Sequence, residues 1–101
     1  MLIDLKGMAA EFPTAWKSTI FGKVASANLK VLRMDECAYD AETHDYAEAL
    51  IVLDGCMHLS IADRTVTVKA GEVFVVPPGL HHGVAPGSHG TLLIVDPSAA
   101  A

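Results

Sequence analysis

The sequence predicts an all-β fold, an antiparallel β-barrel or jelly-roll sandwich, and three observations carry that reading. Short runs of β-branched and long aliphatic residues recur along the chain, each bounded by Gly, Pro, Asp or Asn. No segment keeps a helical apolar period over the length of an ordinary helix. The 101 residues fit a single domain, and 51% hydrophobic against 19% charged residues supply the apolar side chains for one core and no more.

Residues 1–17 read as a lead-in, where residues 8–16 have room for one short helical turn that Pro13 interrupts. Strands are expected over 19–24, where Thr19, Ile20 and Phe21 favour extended backbone, and over 29–34, where Leu29, Val31 and Leu32 do the same. The richest apolar run gives a strand over 46–53, and Asp54-Gly55 behind it is a dipeptide favoured in tight turns. Alternation gives strands over 57–62 and 65–69, with Ala62-Asp63-Arg64 between them as a hairpin turn. Two further apolar runs place strands over 72–76 and 91–95, and the Pro-Ser-Ala tail over 97–101 reads as frayed. Many short strands joined by tight turns make an antiparallel single domain spanning 1–101.

A formal charge of −5, with seven scattered Lys and Arg residues, argues against a nucleic-acid partner. The first seven residues lack a basic segment followed by an apolar run, and the longest apolar stretch, 47–53, is interrupted by Glu48. Those features predict a soluble, cytoplasmic protein that does not enter the membrane. Cys37 and Cys56 have neither a CxxC nor a zinc-ribbon spacing, so no disulfide is expected.

Chemistry concentrates in two segments. In an extended strand Glu42, His44, Tyr46, Glu48, Leu50 and Val52 share one side, which sets two carboxylates and an imidazole on a face whose later positions are apolar. Unpaired carboxylates on an interior face cost several kcal/mol, roughly, and a divalent cation is an economical partner for them. The second segment is an apolar strand that ends at Pro77-Pro78-Gly79 and delivers His81 and His82. The prolines fix φ and Gly79 permits a sharp reversal, so the imidazole that follows is aimed by a stiff connection. Adjacent residues on extended backbone face opposite ways, and spacing alone does not choose between His81 and His82.

Together the two segments resemble the cupin superfamily, whose motifs read G-x5-H-x-H-x3-E-x6-G and G-x5-P-x-G-x2-H-x3-N. His44, Glu48 and Gly55 fall on the second His, the Glu and the closing Gly of the first motif. Gly71, Pro77, Gly79 and His82 fall on the Gly, Pro, Gly and His of the second. The departures are Glu36 for the opening Gly, Glu42 for the first His and Pro86 for the closing Asn. The resemblance implies a three-His, one-Glu metal site, for which this chain offers Glu42, His44, Glu48 and His82. That mixed oxygen and nitrogen set suits zinc, iron, manganese or nickel. Glu42 is a fourth ligand, a general base beside a site made by the other three, or a solvated rim residue; His81 is a rim group with a possible proton-transfer role. No organic cofactor site is expected, since Trp16, Phe21 and Leu32 read as structural and no phosphate-binding glycine loop accompanies them.

His58 lies out of phase with Met57, Leu59 and Ile61 and reads as a surface or interface residue, His89 as a solvated loop residue and Cys56 as an inert small side chain. Proteins of this family and size pair as homodimers, often through N-terminal strands, and the same assembly is expected here. The function expected is a small-molecule metalloenzyme of dioxygenase, decarboxylase, isomerase or lyase type. The alternatives are a non-catalytic small-molecule binder or sensor, or a metal-free structural protein.

Overall fold

The computed structural model describes residues 1–36 and 39–98, with the backbone alone at 39 and 40, and its architecture is all-β. Among the described residues one helix, α1 (Leu5–Ala10), precedes eight strands. These are β1 (Thr19–Val24), β2 (Ala27–Asp35), β3 (Tyr39–Glu42), β4 (Glu48–Ile61), β5 (Arg64–Lys69), β6 (Val73–Val76), β7 (His82–Val84) and β8 (His89–Pro97). They form one antiparallel sheet in the order β1-β2-β8-β4-β7-β3, with β5 and β6 also paired to β4.

The spine of the sheet is β4, whose 14 residues are paired along both edges. One edge takes β6 against residues 48–51 and β5 against 56–61; the other takes β8 from 49 to 56 and β7 from 59 to 61. The expectation of a tight turn at Asp54-Gly55, with separate strands on either side, is corrected here. Val52 faces Leu92 and Asp54 faces Thr91, so Leu53 is the extra residue of a β-bulge and the strand runs on. The bulge shifts the inward phase from even positions (Glu48, Leu50, Val52) to odd ones (Met57, Leu59, Ile61), all six buried. Gly55 is needed for a close crossing, not for a reversal. At φ +77, a Cβ on it would run into the His89 carbonyl, and one on Gly90, at φ +107, into the Asp54 carbonyl.

The core joins Leu32 and Met34 of β2, the buried residues of β4, Val68 of β5, Val76 of β6 and Leu92 of β8. On the other face of the sheet, Val75, Ala49, Val95 and Leu29 form one ladder row, and Val73, Ile51, Leu93 and Val31 the next. Helix α1 packs against β2 and β8, and Ala9 and Val31 are both fully buried. At the far end of these rows Val73 and Val75 are 54% and 61% exposed.

Other boundaries moved for local reasons. The helix lies earlier than expected because the Asp4 carboxylate caps it, accepting from the Gly7 amide at 3.2 Å, and it stops before Pro13 can disturb it. Strands β3 and β7, of four and three residues, were not expected, being too short to show alternation. His89 begins β8 instead of lying in a loop, although it is exposed. Pro97 pairs with Ala27, and the Ser98 amide donates to the Ser26 carbonyl at 2.8 Å, so the start of the expected frayed tail is part of the fold. Residues 99–101, and Cys37 with its expected free thiol, lie outside the described residues. Cys56 has no disulfide partner among the described residues.

Candidate metal centre

The inner face of the sheet holds a cavity of about 240 Å³. Its floor is apolar, from Leu32, Leu50, Leu59, Leu92 and Ile94, and its polar wall includes Glu42, His44, Glu48 and His82. Four chain segments bring these donors together. Glu42 ends β3, Glu48 begins β4, His82 begins β7, and His44 lies in the connection between β3 and β4. Glu42 and His82 are register partners in the β3·β7 ladder.

The Pro77–Leu80 reversal has Pro78 and Gly79 at its centre, Gly79 at φ +81, and the Leu80 amide donating to the Pro77 carbonyl at 3.3 Å. The Gly79 amide donates to the His44 carbonyl at 2.8 Å, so the turn that delivers His82 is fastened to the segment that carries His44. His44 and Tyr46 therefore reach the cavity from a loop, not through the strand alternation expected of them.

His82 Nδ1 lies 2.9 Å from the Leu80 carbonyl oxygen, which can only accept, so Nδ1 carries the proton. Its Nε2 edge then faces Glu48 Oε1 at 3.0 Å and Glu42 Oε1 at 3.9 Å. His44 Nε2 lies 3.3 Å from the same Glu42 oxygen. One ligand atom from each of the four residues falls within 4.8 Å of all the others. Two carboxylates converging on two imidazole nitrogens is an arrangement that a cation satisfies. The Nδ1–H to carbonyl bond of His82 is the outer support that metal-binding histidines ordinarily have. Donors about 2.0–2.2 Å from an ion lie some 3–4 Å apart, so a small contraction of this set would close it around a divalent transition metal.

The four donors differ in exposure. Glu48 and His82 are buried, His44 is half-buried, and the Glu42 side chain is 49% exposed at the rim. Tyr46 stands beside His44, ring centroids 4.7 Å apart. Burial first, then the negative charges of Glu48 and Asp96, push its phenol above the usual 10.0; Lys30 opposes the shift and Glu42 adds to it. His81 is exposed and is not among the residues lining the cavity. His58 also stands apart from the donor cluster, its Nδ1 3.0 Å from the Thr67 hydroxyl.

Sequence reasoning missed the polar groups on the cavity's other wall. Lys30 and Asp96 both line it, Lys30 Nζ lies 2.6 Å from Asp96 Oδ2, and the Asn28 amide donates to Asp96 Oδ1 at 3.1 Å. Trp16, expected to be purely structural, lines the cavity as well, while its indole N–H donates to the Asp35 carbonyl at 3.0 Å. The available signal was phase: Asn28, Lys30, Leu32 and Met34 alternate along one side of β2, and two of them are plainly core residues.

A family model for the cupin domain matches residues 33–96. Among solved structures, a cupin-2 domain-containing protein from Shewanella frigidimarina superposes with a TM-score of 0.86 at 23% identity, covering 95% of this chain and 94% of that one. A protein from Neisseria meningitidis gives 0.82 at 23% identity, with 97% and 100% covered. The polyketide cyclase RemF from Streptomyces resistomycificus gives 0.65 at 28% identity, over 71% of this chain and 54% of that one. No curated protein matches the chain at a significant level.

Proposed function

Because the chain belongs to the cupin domain family, we propose that Glu42, His44, Glu48 and His82 hold a divalent transition metal in a small-molecule metalloenzyme. The observation that carries this reading is the orientation of His82. With its Nδ1 proton committed to the Leu80 carbonyl, its Nε2 is left against the Glu48 and Glu42 carboxylates, where a cation is the fitting partner.

When bound, zinc, iron, manganese or nickel supplies the Lewis acidity or redox chemistry needed for a dioxygenase, decarboxylase, isomerase or lyase reaction. The remaining tasks fall to the chain. The apolar floor excludes water from one side of a bound molecule, and the Tyr46 phenol, kept protonated, donates a hydrogen bond to it. Glu42, half-exposed where the others are enclosed, either completes the ligand set or takes and returns a proton at its Oε1 atom. The similarity to a polyketide cyclase supports small-molecule chemistry in this scaffold and leaves the substrate open.

The proposal includes a cytoplasmic homodimer. The apolar rows ending at Val73 and Val75 support the pairing, beside the N-terminal strand route expected from sequence. Among the described residues no helix is long and apolar enough to cross a membrane.

The test is elemental analysis of protein purified without chelator or a nickel column, repeated on Glu42→Gln. Near-stoichiometric metal in the wild type is expected; its loss in Glu42→Gln would mark that residue as a ligand, and its retention would leave Glu42 free to act as a base. Metal far below one per chain, even after incubation with zinc, iron, manganese and nickel, overturns the reading and favours a metal-free binder or structural protein.

A further inference from the structure

The inward-facing side chains of β2 run Asn28, Lys30, Leu32, Met34, and among the residues lining the cavity Lys30 is the one lysine or arginine. Its ladder row continues through Ile94, Leu50 and Phe74, all apolar, so an aliphatic side chain would suit this position in the sheet. Instead the ammonium is held on the cavity wall by Asp96, which is in turn held by Asn28. An ammonium carries three donors, and the contact with Asp96 occupies one. The Lys30 side chain is 24% exposed and is among the residues lining the cavity.

We infer that Lys30 is the specificity-determining residue of this site and receives the carboxylate of a small organic acid whose other end lies toward the donor cluster. The assignment rests on the cavity and donor set of the proposed function and names the substrate class of that same site. Three arguments favour a carboxylate. An ammonium pre-oriented by Asp96 makes charge-assisted hydrogen bonds to carboxylate oxygens, which are shorter and stronger than those to a neutral hydroxyl. Lys30 offers a single ammonium at this wall of the cavity, a match for one carboxylate group and not for a phosphate dianion, which calls for clustered positive charge. A volume of about 240 Å³ falls below the ~300 Å³ at which pockets for drug-sized molecules begin, which favours a small acid. The apolar floor beneath Lys30 suits the hydrocarbon portion of such an acid.

Isothermal titration calorimetry with propionate, glycolate, ethylene glycol and inorganic phosphate, on wild-type protein and Lys30→Met, tests the assignment. Since Lys30→Met leaves Asp96 buried without its cation, the double variant Lys30→Met/Asp96→Asn is measured beside it to separate lost binding from lost fold. Metal content is determined on every sample, so failure of the metal reading is seen independently. The result expected is binding of propionate or glycolate to wild type that weakens about tenfold or more in both variants, with metal content unchanged. Carboxylate binding that depends on Lys30 supports the assignment whether or not an ion is found. Equal carboxylate binding in all three proteins, no carboxylate binding to wild type, or stronger binding of phosphate or ethylene glycol than of either acid overturns it.

Discussion

At the scale of single residues, the site separates side chains that look alike in the sequence. His82 and His58 are both imidazoles on strands, yet His82 Nε2 faces two carboxylates while His58 bonds Thr67 outside the donor set. His82→Ala is therefore expected to lower metal affinity by about 100-fold or more and His58→Ala to leave it unchanged, read as metal per chain after dialysis against a weak chelator. Equal occupancy in the two variants would sink the ligand assignment. Tyr46 gives a pH signature. Its phenol is raised above 10.0, so with rising pH the unfolded chain loses that proton first while the folded chain still holds it. Its contribution to stability is intact below about pH 10 and is lost as pH climbs from there toward the folded value. Tyr46→Phe should decline less than wild type in urea unfolding midpoints across that window, and identical slopes would contradict the shift. The clustering of Glu42, His44, Glu48 and His82 was legible in the sequence because their residue types and spacing are distinctive. Lys30 and Asp96 were not, because each is an ordinary charged residue until β2 and β8 are paired and their facing sides are known.

At the scale of elements, the long strand β4 depends on two glycines that cross at the bulge. A Cβ at Gly55 or Gly90 meets a carbonyl of the opposite strand, whereas Gly71, also at positive φ (+87), has nothing within 4 Å. Gly71→Ala should cost about 1 kcal/mol for its backbone conformation alone. Gly90→Ala adds a clash between paired backbones and should cost about 3 kcal/mol or more, which chemical denaturation of the two variants compares directly. Comparable losses would show that the crossing has room to relax. Strand β1 was readable to the residue, and the hairpin between β4 and β5 was readable at Ala62-Asp63-Arg64, although the connection is only Ala62-Asp63, since Arg64 pairs with Ile61. The bulge was not, since Asp-Gly serves a turn and a bulge equally well, and the choice between them is made by β8, which lies far away in sequence.

At the scale of the whole molecule, the all-β class followed from composition and strand spacing, but the order of strands did not, because no local signal says that β8 lies between β2 and β4. Nor did the outer apolar rows, whose members come from β2, β4, β6 and β8. If those rows seat a second copy, Val73→Lys with Val75→Lys should turn the dimer into a monomer in sedimentation analysis while leaving metal content intact. A wild type that sediments as a monomer would remove the pairing from the proposal. The central place of β8 also bears on the timing of synthesis. Strands β2 and β4 emerge from the ribosome long before their common neighbour, and until residues 89–97 follow, each has an edge with its backbone groups unsatisfied. Such edges are templates for the wrong chain, so the protein's exposure to misassembly is set by the wait for one late strand, and slowing translation between β4 and β8 would lengthen it.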